Sequence, residues 1–206
     1  MQPTRPRPTP QDRLDRLALL FSHRIDVDGL WLGILGTRSD NATLRRVESA
    51  LRLIERHDPP RYRRLRRDIT RIWICPLIGA NGAYSLATRL CKLDVAYVQS
   101  ATPEEIASTI VHEATHAHPC LQKFGYTENV RYRIEMLCMR QELAFVRLLP
   151  GSEAMQTELR RRLQASPQIW SDELRKELQP ALATNAARSY GLPEWVIKIL
   201  LRFRKK

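Results

Sequence analysis

The residue types best suited to chemistry stand together at His112-Glu113-Ala114-Thr115-His116, an HExxH pattern. Four residues along an α-helix turn about 400°, so both imidazoles leave one face, one turn apart, and can fill two corners of a tetrahedral zinc site. Glu113 lies about 100° round from His112, beside such a metal without binding it, where it can take a proton from metal-bound water. With 5 His and 13 Glu in 206 residues, chance produces roughly 0.01 such matches per chain. The alternative reading is a pair of hydrogen-bonded structural histidines.

A catalytic zinc needs a third protein ligand. The extended pattern that continues with a glycine three residues and a histidine six residues after His116 is absent, because Pro119 and Gln122 occupy those positions. Acidic ligands on the following helix remain. Glu135 and Glu142 are seven residues apart, which places their carboxylates within about 20° of one another on a helix. They are flanked on that side by Ile134, Cys138, Met139 and Val146. Acids in an apolar stripe are costly to bury without a cation or strong hydrogen bonds, so a metal-linked role is reasonable for both. Ion pairing with Arg131 or Arg140 is the alternative.

These side chains need helices to position them. Pro103 with Glu104 and Glu105 opens a helix that carries the HExxH pattern to about residue 118, and a second helix is expected over 128–148, closed by Pro150-Gly151. Upstream, Leu44, Val47, Leu51 and Ile54 mark an amphipathic helix over about 42–56, capped by Ser39 or Asp40. Residues 69–75 alternate like a strand, and Asn81-Gly82 turns into a second extended stretch over about 84–97. Helices are expected over 152–165, 171–178, 181–190 and 193–204. Residues 1–38 read as an extension wrapping the core, 39–150 as the core, and 151–206 as a helical part packed on it.

HEATH with eighteen residues between His116 and Glu135 resembles the gluzincins, the thermolysin-like and aminopeptidase-type zinc metallopeptidases whose third ligand is a glutamate on the helix after HExxH. The resemblance covers about residues 69–148. It implies an α+β, zincin-like fold: a small, mostly antiparallel sheet with an active-site helix and a glutamate helix. It also implies zinc held by His112, His116 and Glu135, peptide-bond hydrolysis with Glu113 as general base, and a substrate-pairing edge strand at Leu93, Val95 and Tyr97. Tyr126 is the candidate oxyanion donor, with Tyr132 and His118 as alternatives. Two family positions differ: Ile134 replaces the asparagine before the glutamate ligand, and Met139 stands where thermolysin-like enzymes place an aspartate. Glu142 is the candidate to orient an imidazole instead.

Composition bounds the remaining possibilities. A chain with 43% hydrophobic and 27% charged residues is that of a globular protein, not of a disordered or membrane-spanning one. No export signal or spanning segment is visible, and Cys75, Cys91, Cys120 and Cys138 form no CxxC pair, so reduced thiols in a cytoplasmic protein are expected. A zinc site built from these cysteines is not expected. The net charge is +12. Four cations against two acids in residues 1–16, five against one in 61–68 and five against none in 198–206 account for 11 of these charges. The core is therefore nearly neutral. Basic segments could tether a nucleic acid, giving a DNA-associated metalloprotease, or the tail could touch an anionic membrane, but a solvated face is their usual fate. A catalytically silent zinc-binding regulatory module is the third reading; a peptide or protein is the substrate expected from the first.

Overall fold

The computed structural model describes residues 10–35, 41–118 and 127–189. It is an α+β structure. In chain order the elements are α1 (Pro10–Leu20), β1 (Ser22–Val27), β2 (Leu30–Leu35), α2 (Asn41–His57), α3 (Pro59–Asp68), β3 (Arg71–Cys75), β4 (Gly82–Ser85) and β5 (Leu90–Asp94). They continue with α4 (Val95–Ser100), α5 (Pro103–His116), α6 (Glu128–Val146), α7 (Glu153–Leu163), a 3₁₀ turn at Pro167–Trp170, and α8 (Asp172–Ser189).

The five strands form one sheet in the order β1-β2-β3-β5-β4. The β1–β2 and β4–β5 pairs are antiparallel, whereas β2–β3 and β3–β5 are parallel. The sheet is thus mixed, not mostly antiparallel as expected. The difference arises at β3, which pairs in parallel with both β2 and β5; residues 22–35 also supply two strands instead of merely wrapping the core. A parallel neighbour requires a long crossover, and α2 with α3 provide it between β2 and β3.

On one face, Ile72, Ile74, Cys91 and Leu93 meet α2 and α5 in the main core, together with Phe145 from α6. On the other, Trp73, Cys75 and Leu90 are covered by Ala18 and Leu19 of α1. Alternate side chains of a strand point to opposite faces, which explains why both faces of β3 need cover. Polar contacts tie α1 to the edge of the sheet: Asp15 pairs with Lys92, and Ser85 Oγ donates to Asp12 over 2.7 Å.

The second extended stretch ends earlier than expected. Asp94 caps α4 by accepting from Tyr97 N over 2.9 Å, and its other oxygen accepts from Leu77 N over 2.9 Å. Leu93 is therefore strand, but Val95 and Tyr97 are helical, and the edge strands are β1 and β4, not β5. Downstream, α8 joins the two segments expected at 171–178 and 181–190, with Pro180 inside one helix. The caps at Ser39 and Asp40, the end of the 181–190 helix, and the helix expected at 193–204 lie outside the described residues. Among the described residues, no helix is long and apolar enough to cross a membrane.

The start of α5 is fixed by a capping box. Thr102 Oγ1 accepts from Glu105 N, Glu105 Oε2 accepts from Thr102 N, and Pro103 occupies the first turn. Losing this cap in Thr102→Ala should cost about 1 kcal/mol, read in urea as a lower midpoint with an unchanged slope. An unchanged midpoint would show that the box does not anchor the helix.

Candidate metal centre

The helices α5 and α6 pack antiparallel, since Ser108 and His112 meet Glu142 while His116 meets Glu135. The shared face carries His112 and His116 from one helix and Glu135, Cys138 and Glu142 from the other. His112 Nε2 lies 3.2 Å from Glu135 Oε2, and His116 Nε2 lies 3.5 Å from Glu135 Oε1. Metal–ligand bonds of about 2.0–2.1 Å in a tetrahedron imply ligand–ligand edges of about 3.3–3.4 Å. Each of the two Glu135–imidazole contacts falls near that edge length, through a different carboxylate oxygen.

Behind His112, Glu142 Oε2 accepts from Nδ1 over 3.1 Å, and its other oxygen accepts from Ser108 Oγ over 2.7 Å. This leaves Nε2 as the ring atom available to a metal, the usual role of a carboxylate behind a ligating histidine. Glu135 and Glu142 therefore both bond the His112 imidazole, and Glu135 also reaches His116. Arg131 bonds Asp172 over 2.6 Å and the Trp170 carbonyl over 2.9 Å.

Glu113 is 7% exposed and lies under the edge strand. A Cβ added to Gly82 would stand 3.0 Å from its Cγ and Oε1 and 2.8 Å from Thr109 Cγ2. The strand can cross the carboxylate this closely because position 82 has no side chain.

Burial and proximity perturb these groups strongly. Burial raises Glu113 to about 7, against the opposing pull of His112 and with help from Glu135 and Glu142. Burial disfavours the His112 cation, but hydrogen bonds to Glu135 and Glu142 outweigh it and raise the ring to about 10. For His116 burial wins, and its pKa falls to about 4 despite Glu135. Without metal, protons thus sit on His112 and, near neutrality, partly on Glu113.

The chain matches no family model, no curated protein and no solved structure. The assignment of roles therefore rests on its own residues. Two imidazoles and a carboxylate form a donor set that suits zinc. Sequence reasoning left out Cys138: ligand atoms of His112, His116 and Cys138 lie within 4.8 Å of one another, and the thiol is fully buried. It also missed Ser108, whose position four residues before His112 puts it on the same helical face.

The other expected site residues are placed differently. Leu93 is buried in the core, Val95 packs on the core from α4, and Tyr97 Oη is 2.8 Å from Thr109 Oγ1, so none of these forms an edge strand. Tyr126 lies outside the described residues, as do Cys120 and the basic tail at 198–206. His118 lines a cavity of about 290 Å³ with Arg61, Leu65, Thr115 and Leu137, a lining that includes neither His112 nor His116. The arginines of 61–68 lie on α3, whose Tyr62, Leu65 and Asp68 are buried.

A metal taken up here would have to displace the His112 proton, so its apparent affinity should rise by about tenfold per pH unit between pH 7 and 9. The metal-free fold should behave oppositely. A raised histidine pKa stabilises fully below 6.5 and loses that contribution as pH climbs through 10; raised Glu113 adds to the loss between 4.5 and 7. His116, with its lowered pKa, opposes this only as pH falls from 6.5 through 4. Competitive zinc titration and denaturant melts across this range check both signs; a pH-independent affinity would contradict the protonated His112.

Proposed function

We propose that the protein is a zinc-dependent peptidase, with His112, His116 and Glu135 as metal ligands and Glu113 as general base. The observation that supports it most is the Glu135 carboxylate set 3.2 and 3.5 Å from the two imidazoles, next to a buried carboxyl held near neutrality. A zinc ion held there would supply the Lewis acidity that amide hydrolysis requires.

The chain's own groups supply the rest. Glu113, with a pKa of about 7, can accept a proton from attacking water and deliver it to the departing amine at neutral pH. Glu142 holds the His112 ring in the tautomer that presents Nε2. The β4 edge crosses Glu113 at Gly82, so an extended peptide paired with its free side would lie beside the base. This gives β4 the substrate-pairing role that Leu93, Val95 and Tyr97 cannot fill.

Glu113→Gln should retain one equivalent of zinc and lose peptide cleavage by several orders of magnitude, while Glu135→Ala should lose the metal. Metal analysis beside a peptide-cleavage assay reads both, and cleavage surviving in Glu113→Gln would contradict the assigned base. Gly82→Ala should lower turnover while leaving zinc content intact, because its methyl group would press on the Glu113 carboxylate. Full activity in that variant would show that β4 does not confine the base.

A further inference from the structure

We propose that Cys138 is a fourth metal ligand: its thiol would release a proton to solvent on ligating the metal in the resting protein, and would regain one as water takes its place before cleavage. The proposal rests on the metal-centre reading above and concerns its regulation. Cys138 follows Glu135 by three residues on α6, so both side chains point at α5. Its side chain is fully buried, and one ligand atom from each of Cys138, His112 and His116 falls within a 4.8 Å span.

Zinc–sulfur bonds of about 2.3 Å and zinc–nitrogen bonds of about 2.0–2.1 Å set an S···N edge of about 3.6 Å. The sulfur and rings therefore need to draw together by about 1.2 Å at most, a distance that a modest side-chain rotation covers. With a Glu135 oxygen drawn in beside the two imidazoles, the thiolate would make a fourth protein ligand. Four protein ligands characterise a closed zinc site, whereas a hydrolytic one keeps a position open. The thiolate also biases the centre towards zinc, cobalt and cadmium and away from magnesium and manganese.

Cobalt(II) loaded into the full-length protein reports the donor set directly. Wild type should show intense near-ultraviolet thiolate-to-cobalt absorption. Cys138→Ser should lose that absorption yet retain cobalt, and its zinc form should cleave peptide faster than wild type. Cys120→Ser should keep the absorption. Bound cobalt without the absorption would overturn the proposal while leaving the metal centre standing. Absorption that persists in Cys138→Ser would overturn it equally, and absorption lost without faster cleavage would overturn the closed resting state. Failure of wild type to bind either metal would overturn both this proposal and the reading beneath it.

Discussion

The structure is organised around a charge-balance constraint. Glu135 and Glu142 are buried against the imidazoles between α5 and α6, and Glu113 is buried under β4, all largely removed from the water that would normally solvate them. Isolated carboxylates in such a setting carry a large desolvation penalty. In the metal-free state the penalty is met by protons: His112 is held as a cation to about pH 10, and Glu113 retains its proton up to about pH 7. A divalent cation could replace those protons and satisfy the same carboxylates. Metal binding, proton release and the pH dependence of folding are therefore expressions of one arrangement.

The surrounding fold holds that arrangement in register. A capping box fixes where α5 begins, and Ser108 and His112 on successive turns both bond Glu142. The antiparallel packing of α6 then brings Glu135 level with both imidazoles. Above them, β4 approaches Glu113 closely because Gly82 has no side chain. The β4 edge is itself fastened from the opposite face of the sheet, where Ser85 bonds Asp12 and Lys92 of the adjacent strand pairs with Asp15 on α1. An N-terminal helix far from the imidazoles thus helps to set the strand that crosses the base.

Much of the site was legible because helical periodicity is strict. The four-residue step from His112 to His116 and the seven-residue step from Glu135 to Glu142 fix faces without knowledge of the partner helix. What a period cannot give is the partner: Cys138 was visible on the Glu135 face, but its approach to the imidazoles depends on how α6 docks. The strands were harder. Asp28-Gly29, both with positive φ, form the tight turn between β1 and β2, a two-residue hairpin signal inside the segment expected only to wrap the core. At Leu93 to Tyr97 the alternation continued past the true strand end, because Asp94 both caps α4 and binds the Leu77 amide. That second contact is tertiary and leaves no local pattern.

Diffraction from zinc-loaded crystals, with anomalous data collected on both sides of the zinc absorption edge, tests the central claim most directly. A single strong anomalous peak is expected between α5 and α6, about 2.0–2.1 Å from the Nε2 atoms of His112 and His116 and about 2.0–2.2 Å from a Glu135 oxygen. Glu142 should remain on His112 Nδ1. A peak elsewhere, or an ion bound without Glu135, would contradict the assigned centre.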